Sequence, residues 1–127
     1  MITNHVVIWI DLKQAHILYF DTSKNELIQS ESTQRHLNHK ANEIGSGKAP
    51  EDHQFFHKII SAVVNVNEIL VVGPGPAKGE LLKHAAVHDP AIAKHIIGVE
   101  TVNHLTDGQV IAYAKKYFKR VNSLKGN

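Results

Sequence analysis

The chain has 127 residues, 43% of them hydrophobic, and no cysteine. That is one domain's worth of sequence, with enough apolar matter for a core and no means of forming disulfides or thiolate zinc sites. Its net charge is +2, unevenly spread: residues 1–66 carry 6 Lys/Arg against 7 Asp/Glu, and residues 67–127 carry 8 against 5.

No apolar run nears the roughly 18 residues that a membrane helix needs. The start, MITNHVVIWIDL, shows neither a basic leader nor a small-residue cleavage site, so no signal peptide is expected. A cytoplasmic protein without a membrane partner is the expectation. One domain over 1–127 is expected, without internal repeats.

Val6 to Ile10 is an apolar run that reads as a strand ending at Asp11. Lys13-Gln14 reads as a tight connection, and Ala15 to Phe20 returns as an antiparallel partner. Beyond a turn at 21–25, Glu26 to Leu37 alternates loosely and is polar, which suits an edge strand. Asn38 to Pro50 has no periodicity and reads as a long loop, with Arg35, His36, His39, Lys40 and Lys48 in or beside it.

Glu51-Asp52 places acids in the first turn of a helix whose apolar stripe is Phe56, Ile59, Ile60 and Val63, widened by Phe55. Ile69 to Val72 is an unbroken apolar run, rich in β-branched residues, as suits a strand covered on both faces. Gly73, Pro74, Gly75 and Pro76 form a turn that breaks it, and Pro76 fits the first turn of the next helix. In that helix Leu81, Leu82, Ala85 and Ala86 form the expected stripe. A short helical piece over Ala91 to Lys94 and a strand over Ile96 to Val102 follow. Thr106 to Gln109 then caps a last helix, with Val110, Ala114, Tyr117 and Val121 at core spacing and Ile111 and Phe118 flanking them.

The order strand, strand, strand, helix, strand, helix, strand, helix is that of the ribonuclease-H-like α/β architecture. It calls for a mixed five-stranded sheet with helices on both faces.

Asp11 sits where such nucleases keep a metal-binding carboxylate. Two-metal chemistry needs several converging acids, and none of Glu26, Glu31, Glu100 and Asp107, which lie on other elements, makes a second and third ligand. A turn role for Asp11 is the plainer reading. His53 and His57, and His84 and His88, stand four apart on helices, the spacing of zinc ligands. HExxH is absent, so surface histidines are expected and no metal site or cofactor is assigned. GSGK at Gly45 to Lys48 lacks the flanking Gly and Ser/Thr of a phosphate loop. After Asp107 no acid follows, while Lys115, Lys116, Lys119, Arg120 and Lys125 do. A basic face of this kind points to a polyanion.

VVIWIDL, the returning QAHILYF, and Gly73-Pro74-Gly75 with Lys78 soon after are the residues that carry a family likeness. The chain resembles the central domain of the archaeal and eukaryotic class-1 release factor and Pelota family, the translational machinery component fold, seen also in stand-alone bacterial relatives. Release factors of that family carry a Gly-Gly-Gln tip in the loop before the first helix. The matching loop here has Gly45, Ser46, Gly47 and Lys48, without the Gln. The resemblance therefore implies no release activity. It implies a Pelota-like basic loop and a non-enzymatic module that binds the ribosome, ribosomal RNA or tRNA. Candidate contacts are Arg35, His36, His39, Lys40, Lys48, Lys78, Lys115, Lys116, Lys119 and Arg120. Two other readings stand beside it. One is a metal-dependent nuclease or hydrolase using Asp11. The other is an interaction scaffold in which two copies pair through the edge strand.

Overall fold

The computed structural model describes residues 5–20, 25–30, 53–103 and 105–124. In chain order its elements are β1 (His5–Ile10), β2 (Gln14–Tyr19), β3 (Asn25–Gln29), α1 (His53–Ala62), β4 (Glu68–Gly73), α2 (Ala77–His88), α3 (Pro90–Ala93), β5 (Ile96–Thr101) and α4 (Asp107–Leu124). The strands form one sheet in the order β3-β2-β1-β4-β5. β1 pairs antiparallel with β2, and β2 antiparallel with β3. β4 lies parallel to β1 and to β5. This is the expected mixed α/β sheet.

The two central strands are buried on both faces because successive side chains point to opposite sides. Val6, Ile8 and Ile10 of β1, with Ile69 and Val71 of β4, face a core closed by Phe55, Phe56, Ile59 and Ile60 of α1 and by Ala77, Leu81 and Ala85 of α2. Val7, Trp9, Leu70 and Val72 face the other way, onto Val110, Ala114 and Phe118 of α4. The sheet thus separates α1 and α2 from α4.

Two helical stripes differ from expectation by a small rotation. In α2, Ala77, Leu81, His84 and Ala85 are buried, while Ala86 is exposed. Both candidate stripes keep i, i+4 spacing, and alanine's small side chain hardly discriminates between them. Ala77, just past the turn, is buried on the same line as Leu81 and Ala85. In α4 the buried line is Val110, Ala114 and Phe118, with Tyr117 and Val121 half-buried. Phe118 is drawn inward by ring contacts with His5 at 4.7 Å and Phe20 at 5.3 Å. The Tyr117 hydroxyl lies against Gly98 of β5, in space that a Cβ there would occupy.

β3 is an edge strand as expected, and its Leu27 is 54% exposed. The described part of that strand is Asn25–Gln29. Its expected continuation to Leu37, the loop Asn38 to Pro50 and the acids Glu51 and Asp52 lie outside the described residues.

Candidate functional site

The carboxyl ends of β1, β4 and β5 gather the turns that the sequence singles out. Asp11 follows β1 directly. Its Oδ1 accepts hydrogen bonds from the backbone N–H of Lys13 at 2.8 Å and of Gln14 at 2.9 Å. Its own N–H donates to the Gln14 carbonyl at 3.0 Å. This is an Asx-type turn that reverses the chain into β2. The Asp11 carboxylate is engaged in building the hairpin.

Beside it, β4 ends at Gly73. A Cβ on Gly73 would run into the Ile10 carbonyl oxygen, so only glycine lets β1 and β4 approach this closely. The Gly73 carbonyl accepts from Val102 N–H at 3.0 Å, which ties the end of β5 to the same point. Pro76 is the N-cap of α2, and its carbonyl accepts from Gly79 and Glu80 N–H. The half-buried Lys78 donates from Nζ to the Gly75 carbonyl. Of the two glycines in this turn, Gly73 is required by a close approach, whereas Gly75 borders open space.

On the α4 side of the sheet, Trp9, Gln14, His16, Leu105 and Asp107 line a hollow of about 150 Å³. Trp9 Nε1–H donates to the Asn103 carbonyl at 3.1 Å. His16 Nδ1 lies 3.1 Å from Asp107 Oδ1, which joins β2 to the first turn of α4. That turn is closed by a reciprocal pair: Gln109 N–H donates to Thr106 Oγ1 at 3.2 Å, and Thr106 N–H donates to Gln109 Oε1 at 2.9 Å. This capping box satisfies two of the amides that every helix start leaves without a partner.

From that cap α4 runs 18 residues, about 27 Å. Lys115, Lys116, Lys119 and Arg120 are all exposed along it. The Arg120 guanidinium carbon stands 6.0 Å from the Tyr117 ring centroid, at the outer limit of a cation–π contact. Burial, and then the charge of Glu100, push the Tyr113 phenol above its ordinary range. Lys78 belongs to α2, across the sheet, so the structure does not bring it together with the α4 cations. Arg35, His36, His39, Lys40 and Lys48 lie outside the described residues.

The acidic candidates do not converge. Glu26 accepts from the Tyr19 hydroxyl at 3.1 Å, and that hydroxyl also lies 3.1 Å from the Ala62 carbonyl. Burial first, then the hydrogen bond and charge of Glu26, push Tyr19 up to about 12. Asp107 faces His16. Glu31 lies outside the described residues. Among the described residues, the one group of three or more closely spaced ligand-type side chains contains no carboxylate: it is His53, His84 and His88. The sequence pairs His53 with His57 along α1. The structure instead sets His53 against His84 and His88 of α2, with ring centroids 5.5 and 5.8 Å away. A cross-helix meeting of residues 31 positions apart leaves no mark in local spacing.

No protein-family model matches the chain, and no curated protein matches it in sequence. Solved structures do match. The Pelota protein of Thermoplasma acidophilum superposes with a TM-score of 0.61 at 21% identity, over 90% of this chain and 32% of that one. Archaeoglobus fulgidus Pelota gives 0.58 at 18%, over 89% and 31%. Dom34 of S. cerevisiae, a translation termination-like factor involved in RNA quality control pathways and interacting with Hbs1, gives 0.53 at 14%, over 98% and 39%. The chain thus has a fold found in release-factor-like proteins of the Pelota kind, as its motifs suggest. It spans about a third of the length of the two Pelota proteins.

Proposed function

We propose that the chain is a non-enzymatic, cytoplasmic module associated with translation, which binds the ribosome, ribosomal RNA or tRNA by phosphate contacts. The observation that carries this reading is the exposed cationic row Lys115, Lys116, Lys119 and Arg120 on the outer side of α4, in a stretch without an acid after Asp107. The shared fold with Pelota and Dom34 supports the same direction. Arg35, His36, His39, Lys40 and Lys48 supply a second cationic segment in this reading, and Lys78 serves mainly to hold the Gly73–Pro76 turn. Two features argue against hydrolysis. The loop reads Gly45-Ser46-Gly47-Lys48 and has no Gly-Gly-Gln tip, and Asp11 Oδ1 is engaged in a turn.

Binding through phosphates releases counterions and so weakens with salt. Four contacts to a single strand or duplex predict a loss of about 50- to 150-fold between 50 and 200 mM salt. Co-sedimentation with ribosomes and with tRNA at those two salt levels tests this. The variant with Lys115, Lys116, Lys119 and Arg120 all changed to Ala is expected to lose the salt-sensitive part. Failure to bind at the lower salt level would overturn the proposal.

A second reading has its own observation. β3 is an outer strand of the sheet with Leu27 exposed, and a second copy could extend the sheet there. Sedimentation velocity over a range of protein concentrations tests it, with a concentration-dependent dimer as the expected sign.

A further inference from the structure

The three histidines sit on the far side of the sheet from α4, at the seam between α1 and α2. His84 is in the third turn of α2 and His88 is its last residue, so i, i+4 spacing lays both rings on one side of the helix, with centroids 4.5 Å apart. His53 is the first residue of α1 and reaches them from the facing helix. One ring nitrogen from each of the three lies within 4.8 Å of the others. His84 is only 8% exposed and packs against Phe56, whose ring centroid is 5.4 Å away. Phe56 is three residues on from His53 in α1. One ligand is thus held rigidly by the core, while the other two stand at the surface.

We infer that His53, His84 and His88 form a binding site for a divalent transition-metal ion of the zinc class. Imidazole nitrogens suit zinc, nickel and copper, whereas magnesium and calcium need oxygen ligands, which this group lacks. In a tetrahedral site with Zn–N bonds of 2.0–2.1 Å, ligand nitrogens are about 3.3 Å apart. The three nitrogens therefore draw together by up to roughly 1.5 Å, a movement that the broad ring torsions of the two exposed histidines supply. Among the described residues the group supplies three ligands, which leaves a fourth position of a tetrahedral ion for water or another donor. The bound ion would tie the first turn of α1 to the last turn of α2.

The test is titration of the chelator-treated full chain with zinc sulfate, followed by calorimetry. One equivalent should bind. Cobalt(II) should give the intense visible bands of a tetrahedral nitrogen-rich site, which scattered surface histidines do not produce. His53→Ala and His88→Ala, both at exposed positions, should each weaken zinc binding by more than about tenfold, the least that losing a direct ligand should cost when outer-shell changes alone cost 10–100-fold. His57→Ala, one turn along α1 and outside the group, should leave it unchanged. Zinc should also raise the Tm of the parent chain and not that of His88→Ala. Absence of binding would overturn the site. So would binding that survives both single substitutions, or that falls equally in His57→Ala.

Discussion

The two faces of the sheet are built from alternate residues of the same strands, yet they are finished differently. The face under α1 and α2 is closed by aliphatic side chains and two phenylalanines, and its polar feature is a seam of imidazoles. The face under α4 is closed by one helix and is rich in rings: Trp9, Phe20, Tyr113, Tyr117 and Phe118. Its outer side is cationic. One face offers nitrogen ligands at a junction of two helices; the other offers charge of one sign along a single one. The difference follows from strands of period two, whose alternate side chains line two separate cores.

Core truncations probe that separation with the largest effects. Phe118→Ala should cost about 3–5 kcal/mol and Leu81→Ala about 2–5 kcal/mol, read from urea unfolding. If the sheet insulates the faces, the double variant should be additive within about 0.5 kcal/mol. A larger coupling would mean that β1 and β4 relay strain between them.

A smaller effect isolates the α4 side. Thr106→Ala removes one half of the capping box and should cost about 1 kcal/mol. It should leave zinc binding at the α1–α2 seam untouched.

An effect of similar size belongs to the opposite face. Tyr19→Phe removes the hydroxyl shared between Glu26 and the Ala62 carbonyl, at an expected cost of about 0.5–1.5 kcal/mol. Tyr19 is raised from 10.0 to about 12, so the fold favours the neutral phenol. Its contribution is fully present below pH 10 and is lost as pH rises from 10 through 12. The stability gap between parent and Tyr19→Phe should therefore shrink across that window.

Much of this organisation is legible in the residues. β1 and β4 announce themselves because strands covered on both faces need unbroken apolar runs. The capping box of α4 is legible because Thr106 and Gln109 stand at the required offset. The α2 stripe is harder, since alanines at 85 and 86 weigh alike in a pattern and only packing tells them apart. The same rotation hides His84, which reads as a surface residue beside Lys83. The cationic row is local to one helix and can be read directly. The histidine group cannot, because His53 and His84 meet only after β4 has been threaded beside β1 and α2 has folded back.

The place of β1 in the sheet carries a kinetic consequence. It pairs with β2 across a turn of a few residues, and with β4 across more than 50 residues of chain. The meander of β1, β2 and β3 closes short loops and can form early, whereas β4 and β5 must wait for long crossovers whose closure entropy delays them. β1 is the template on which the late half of the sheet assembles. Weakened contacts between β1 and β4 should therefore slow refolding.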